Sequence, residues 1–208
     1  MSNTTKGIIA LLISSLGFSL MSFFVKYSGD LPTVQKTFFR NFISMVISLS
    51  LVIYYKEKLF GQKKNQGLLL LRSSLGLLGV LLNFFVIDRM VLSDAEILNK
   101  LSPFFTILLC ALFLKEYIRR YQMISIIIAL VGAVFIIKPS MSSDTAFALL
   151  GILGAILAAG AYTVLRVLGD REKFYTVVFY FSGFSTVALL PFFIFQYESM
   201  TFEQWIML

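Results

Sequence analysis

The run Leu101–Leu114 carries no charge, yet it is too short to cross a bilayer. At about 1.5 Å per residue it makes roughly 21 Å of helix, against a hydrocarbon core of about 30 Å. A spanning helix here must start near Ala95, which brings Glu96, Asn99 and Lys100 to membrane depth. Ionisable groups at that depth are costly and mark functional positions. The stretch Leu92–Glu116 therefore predicts both a membrane span and a polar site inside it.

Composition sets the rest of the chain in the same solvent. Hydrophobic residues make up 58% and charged residues 14%, with a mean hydropathy of +0.87. Soluble domains carry about 25% charged residues. The expected fold class is all-α, a polytopic helical membrane protein. No alternation of inward and outward residues suggests a membrane β-barrel. With no histidine and the single cysteine Cys110, the usual triads, disulfide frameworks and metal clusters are ruled out, and no cofactor is implied. The net charge of +7 is read as an orientation signal and not as a nucleic-acid site.

Seven apolar segments are expected: about Gly7–Val25, Thr37–Tyr55, Gly67–Ile87, Ala95–Leu114, Tyr117–Ile137, Phe147–Leu168 and Phe174–Phe195. A cytoplasmic N-terminus puts Lys56, Lys58, Lys63, Lys64, Arg171 and Lys173 on the inside with most other basic residues. The larger share of Lys and Arg then lies inside, which supports a multi-pass protein of the plasma membrane in that orientation. The outer flanks carry Lys26, Lys36, Arg40, Arg89, Lys100 and Lys138.

A faint internal repeat is visible. Gly7-Ile-Ile-Ala-Leu-Leu-Ile matches Gly151-Ile-Leu-Gly-Ala-Ile-Leu, and Leu31-Pro-Thr-Val34 matches Phe174-Tyr-Thr-Val177. Five spans precede the second copy, so that copy inserts upside down. Inverted repeats that meet at the midplane are a hallmark of secondary transporters. The expected organisation is a first five-helix repeat over 1–140 and a partial second repeat over 145–208. Ten spans would complete it; the chain carries seven and the approach to an eighth.

The residues resemble the drug/metabolite transporter superfamily, and within it the EamA-type permeases. The matching features run in order. They are Gly7, Gly17-Phe18 and Lys26, then Pro32 with Phe38-Phe39-Arg40, then Ser102-Pro103-Phe104-Phe105 and Leu112-Phe113-Leu114-Lys115-Glu116. Gly132 follows, then Gly151 through Ala161-Tyr162 with Arg166. The resemblance implies a ten-helix carrier with both termini cytoplasmic.

Candidate substrate-binding residues follow from depth and spacing. In the fourth span Glu96, Asn99, Lys100, Pro103, Ile107 and Cys110 share one helical face. Glu96 and Lys100 have the favourable i,i+4 order for an ion pair. Pro103 lacks an N–H and frees the carbonyl of Asn99. The alternative for Lys100 and Glu96 is snorkelling to the headgroups, and Asp94 is read as an N-cap region residue. In the second span Lys36, Arg40, Ser44 and Ser48 recur every four residues, and Arg40 could clamp a carboxylate. Gln35 and Asn41 stand beside them. In the third span Gly76, Gly79 and Asn83 are candidates for packing or contact, and Arg72 reads as a snorkelling anchor. The small stripes Ala10, Ser14, Gly17, Met21 and Gly151, Gly154, Ala155, Ala158 read as helix-packing faces. Tyr162 is the deepest aromatic hydroxyl of the sixth span.

The leading reading is a carrier of a small polar metabolite, of the amino acid, nucleoside or organic anion class, with Lys100→Ala expected to abolish transport. The partners are that substrate and the lipid bilayer, with a second copy of the chain as a further candidate. A membrane-embedded enzyme, a seven-helix receptor and a non-transporting subunit are the alternatives.

Overall fold

Helices alternate in direction through the chain because the connections between them are short. The computed structural model describes residues 3–137 and 143–207. Its long helices are α1 (Asn3–Tyr27), α2 (Thr33–Tyr54), α3 (Gln66–Arg89), α6 (Arg120–Ile137), α7 (Ser143–Leu168) and α8 (Phe174–Phe195). Shorter ones are α4 (Leu92–Asn99), α5 (Ser102–Leu114) and α9 (Phe202–Met207). No strand occurs among the described residues. The bundle has two ends. Tyr27, Thr33, Arg89 and Leu92 lie at one, and Tyr54, Gln66, Leu114 and Phe174 at the other.

Six of these segments are long and apolar enough to cross a membrane, with α4 and α5 together forming one, Leu92–Leu114. The sequence led us to expect seven. The difference falls on α6, whose well-placed apolar stretch Arg120–Gly132 is shorter than the others. Lys138, one of the outer-flank cations, lies outside the described residues. The fourth span begins at Leu92 and not at Ala95, because Val91 is extended and the helix starts directly after it.

α3 is the central helix. It packs on α7 and α8 and also touches α1, α2 and α4. Glycines set the α3–α7 approach. A Cβ added to Gly79 would stand 3.2 Å from Ala158 N and 3.3 Å from the Gly154 carbonyl oxygen. Close backbone approach of this kind is how helices associate where lipid removes the hydrophobic drive. The small stripe of the sixth span thus packs as expected. The stripe of the first span does not. Ala10, Ser14 and Gly17 are exposed, and nothing approaches Gly17 within 4 Å. A second packing centre joins α2, α3 and α8 through Phe38, Leu77, Phe181 and Leu189.

The Arg89 end is tied by two lysines. Lys36 Nζ donates to the Val25 carbonyl at 3.2 Å, the Gly29 carbonyl at 2.7 Å and Asp88 Oδ1 at 2.7 Å. Lys26 Nζ donates to the carbonyls of Ile87 at 2.7 Å, Asp88 at 3.2 Å and Met90 at 3.0 Å. Thr33 Oγ1 adds a bond to Asp88 Oδ2 at 3.0 Å. Each ammonium has three donors, and each finds three acceptors. Cations also complement the last-turn carbonyls of α1 and α3 electrostatically. Gln35 fastens the same end differently, by a reciprocal pair with the backbone of Glu198, 3.0 Å in each direction.

Two outcomes test this account. Asp88→Ala strips the counter-ion from the fully buried Lys36 and is expected to cost on the order of 3–5 kcal/mol of stability. Denaturant unfolding of the purified chain in micelles measures it, and the double variant Lys36→Met/Asp88→Leu is expected to recover part of the loss. Gly79→Leu is expected to separate α3 from α7 and abolish recovery of monodisperse protein, whereas Gly17→Leu leaves it unchanged.

Candidate functional site

The sequence placed a continuous charged face on the fourth span, and the structure breaks it. α4 stops at Asn99 and α5 starts at Ser102. Pro103 stands in the first turn of α5, where its missing N–H costs nothing. The Leu101 carbonyl accepts from Phe104 N at 3.0 Å and Phe105 N at 3.1 Å, so the proline opens a new helix and does not kink an old one. Glu96 accepts a hydrogen bond from Ser22 Oγ of α1, and Lys100 is exposed. The expected Glu96–Lys100 ion pair is absent among the described residues, where the pairs are Lys36–Asp88 and Arg166–Glu116. Asn99 is half-buried beside the break.

The four-residue polar period of α2 divides into two uses. Lys36 is absorbed by the tie at the Arg89 end. Arg40, Ser44 and Ser48 instead line a groove of about 250 Å³ between α2 and α8, which runs past Leu51 to Phe174 and Tyr175. Arg40 stands about 10 Å inside α2 from its first residue. Its Nη1 donates to Asn41 Oδ1 at 3.3 Å, and Asn41 Nδ2 donates to the Thr37 carbonyl at 2.8 Å. Ser48 Oγ bonds the Ser44 carbonyl at 2.7 Å and lies 3.4 Å from Ser182 Oγ of α8.

A second arginine faces α8. Arg72 was read from sequence as a snorkelling anchor, but its guanidinium folds inward and lies 4.1 Å over the Phe181 ring. Gly76 makes the room: a Cβ there would stand 3.2 Å from Arg72 Nη1 and 3.0 Å from the Phe181 ring. Tyr162 is 45% exposed on α7. Of the sequence candidates, then, the groove takes in Arg40 but not Tyr162. The fold holds Glu96, Asn99 and Lys100 apart at the α4–α5 break. Asn83 is half-buried on α3 next to Gly154 of α7, at the helix–helix contact.

The signals for the missed residues were present. Arg72 is followed one turn later by Gly76 and then Gly79, a small face on which a long side chain can lie. Asp88 is the lone acid of α3 and sits at its C-terminal end, where the helix dipole disfavours it. An acid there calls for a cation, and Lys36 supplies it. At the opposite end, Glu172 accepts from Gln62 N at 2.8 Å and Asn65 Nδ2 at 2.6 Å, beneath a basic surface formed by Lys58, Lys63, Lys64 and Lys173.

The chain is similar to transporters across several kingdoms. It is 36% identical over 190 residues to the pseudopaline exporter CntI of Pseudomonas aeruginosa, covering 89% of this chain and 65% of that protein. It is 27% identical to human solute carrier family 35 member G1, covering 84% of this chain and 52% of the relative. It is 29% identical to the riboflavin transporter of Brucella anthropi, covering 69% and 50% respectively. The chain thus spans less than two thirds of the length of these curated relatives. No solved structure matches it. The model of the EamA-like transporter family matches residues 5–138, most of the chain, and the protein belongs to that family.

Proposed function

We propose that this chain is the larger part of a secondary-active carrier that moves a small polar metabolite by alternating access. The observation that carries the reading is the groove between α2 and α8, with Arg40, Ser44 and Ser48 facing into it at bilayer depth. Polar side chains there serve solute or water and not lipid. The repeat supports the mechanism. α2 and α8 are both 22 residues long and pack on each other, and each follows a long helix at an equal separation, Tyr27 to Thr33 and Leu168 to Phe174. We read residues 1–140 as one repeat and 145–208 as part of an inverted second. Rocking of one repeat against the other would then expose the groove alternately.

The substrate belongs to the amino acid, nucleoside or organic anion class. The name of the Pseudomonas relative supports export as the direction. The basic Tyr54 end lies in the cytoplasm in this reading, with the N-terminus, and the membrane is the plasma membrane. A membrane enzyme is disfavoured because the relatives bear transporter names and the groove holds no nucleophile–base pair.

Counterflow in proteoliposomes tests the reading, with amino acids, nucleosides and carboxylates as the panel. Arg40→Ala is expected to lower the initial rate at least about tenfold, the scale of one lost charge-assisted bond. Loss of rate in Lys100→Ala with Arg40→Ala unaffected would move the site to the α4–α5 break. Orientation is tested separately in a Cys110→Ser background. Lys58→Cys is expected to react with an impermeant maleimide only from the cytoplasmic face, and Lys100→Cys only from the opposite one.

A further inference from the structure

The α2–α3 and α7–α8 connections meet at the Tyr54 end and enclose a basin of about 810 Å³. Lys58, Lys63, Lys64, Arg171 and Lys173 line it, with Glu57 and Glu172 as the acids among the lining residues. All five cations are exposed. None of them enters an ion pair among the described residues, where the pairs are Lys36–Asp88 and Arg166–Glu116.

Five like charges repel, and in free loops they would spread apart. Here the loops are tied to each other beneath them. Glu172 Oε1 accepts from Gln62 N at 2.8 Å and from Asn65 Nδ2 at 2.6 Å. Gln62 Nε2 donates to the Arg171 carbonyl at 2.9 Å, and Thr176 Oγ1 donates to the Lys58 carbonyl at 3.1 Å. Asn65 and Thr176 are buried. Gly61 admits Glu172: its φ is +63°, and a Cβ there would stand 2.8 Å from Glu172 Oε2. Glu172 therefore spends its carboxylate on the floor of the basin and forms no ion pair with a lysine. Five cations against two acids leave a surplus of three positive charges around one cavity.

The aromatic residues around the basin fix its depth. Tyr54 and Tyr55 end α2 and Phe174 opens α8; all three are exposed, as is Phe60 in the first connection. Exposed tyrosines at helix ends mark the membrane–water interface, where the lipid phosphates lie. The cations thus stand at headgroup level, where clustered lysines attract anionic lipid.

We infer that this basin binds the phosphate groups of anionic phospholipids, and that it prefers a headgroup with two phosphates to one with a single phosphate. The surplus of three charges exceeds what one phosphodiester neutralises, and the volume lies in the range of about 300–1,000 Å³ that holds whole small molecules. In the orientation proposed above the basin faces the cytoplasmic leaflet. It shares no lining residue with the α2–α8 groove, so lipid binding and transport are separable.

The test is lipid binding by the full chain in neutral detergent, read by thermal shift and by the lipid retained in native mass spectrometry. Cardiolipin, phosphatidylglycerol and zwitterionic phosphatidylcholine are the probes. Cardiolipin is expected to raise the melting temperature most, phosphatidylglycerol less at equal phosphate, and phosphatidylcholine not at all. Lys58→Gln/Lys63→Gln/Lys64→Gln is expected to weaken cardiolipin binding roughly a hundredfold. Where that variant does not fold, Arg171→Gln/Lys173→Gln from the other connection carries the test, with an expected loss of roughly thirtyfold. Lys115→Gln/Arg119→Gln/Arg120→Gln removes three exposed cations from the same end outside the basin and is expected to leave binding unchanged. Gly61→Ala keeps every charge but displaces Glu172, and is expected to weaken binding several-fold. Equal losses in the two triple variants reduce the effect to diffuse charge and overturn the site. So does cardiolipin binding that the basin variants leave intact. Equal affinity for phosphatidylglycerol and cardiolipin overturns the two-phosphate preference. Protection by inorganic phosphate or pyrophosphate at the concentration where cardiolipin protects assigns the cations to a soluble anion and overturns the lipid site.

Discussion

The buried ion pair of Lys36 with Asp88 fixes the end of the bundle from which the rest is hung. Lys36 has no exposure, so its charge persists only because Asp88 and two carbonyls replace the water it gave up. The carbonyls come from the end of α1 and the turn after it, and the acid from the end of α3. One side chain of α2 therefore sets the relation of three helices. Lys26 returns the gesture from α1 to the last carbonyls of α3. With that end closed, α3 can sit centrally and present one side to α7 through Gly79 and the other to Phe181 of α8. The groove runs from Arg40 in the half of α2 nearer that end to Phe174 and Tyr175 at the other.

The two hairpins α1–α2 and α7–α8 differ by one residue in length and more in chemistry. Arg40 and Phe181 occupy the same position in two helices of 22 residues each. In the register of the proposed inverted repeat Arg40 matches Gly183, and the Phe181 ring matches Phe38. Arg72, from α3, lies over that ring. A cation–π contact thereby turns a second cation inward against α8, without an arginine in α8 itself. Such contacts are worth about 0.5–2 kcal/mol, enough to orient a guanidinium but not to offset its desolvation. The orientation leaves Nε and Nη1 free of protein partners.

The spans and the direction of the helices were legible in the sequence because length and apolarity in a bilayer admit few alternatives. The packing role of the small face on α7 was legible too, since Gly151, Gly154 and Ala158 have no other strong use, but its partner α3 was not. Distances between helices were not. The period of four in α2 grouped Lys36 with Arg40, but only the packing of α3 shows that Asp88 claims the former and not the latter. Pro103 was read as a mid-helix defect because the run from Ala95 to Leu114 was taken as one helix. A break before it turns the same residue into a helix start. Arg72 was placed at the surface by its distance from the helix end, a criterion blind to the glycine that lets it fold inward.

Lysine and arginine are used for different tasks here, and their donor geometry explains why. An ammonium has three donors and is saturated by three carbonyls, which helix ends supply without any acidic residue. Lys26 needs no carboxylate at all. A guanidinium has five donors in a plane, and helix ends cannot meet them all. Inside α2 and α3 the backbone is already paired with itself, and Ser48 bonds its own helix at the Ser44 carbonyl. An arginine at such a depth therefore keeps open donors wherever its side chain turns. Lysine at the Arg89 end closes the structure on itself, and arginine farther in leaves it chemically incomplete. Among the described residues the unpartnered buried side-chain atoms belong to α3 and α8. A static structural role would favour a lysine or an apolar residue at both positions; open forks at membrane depth fit a partner that comes and goes.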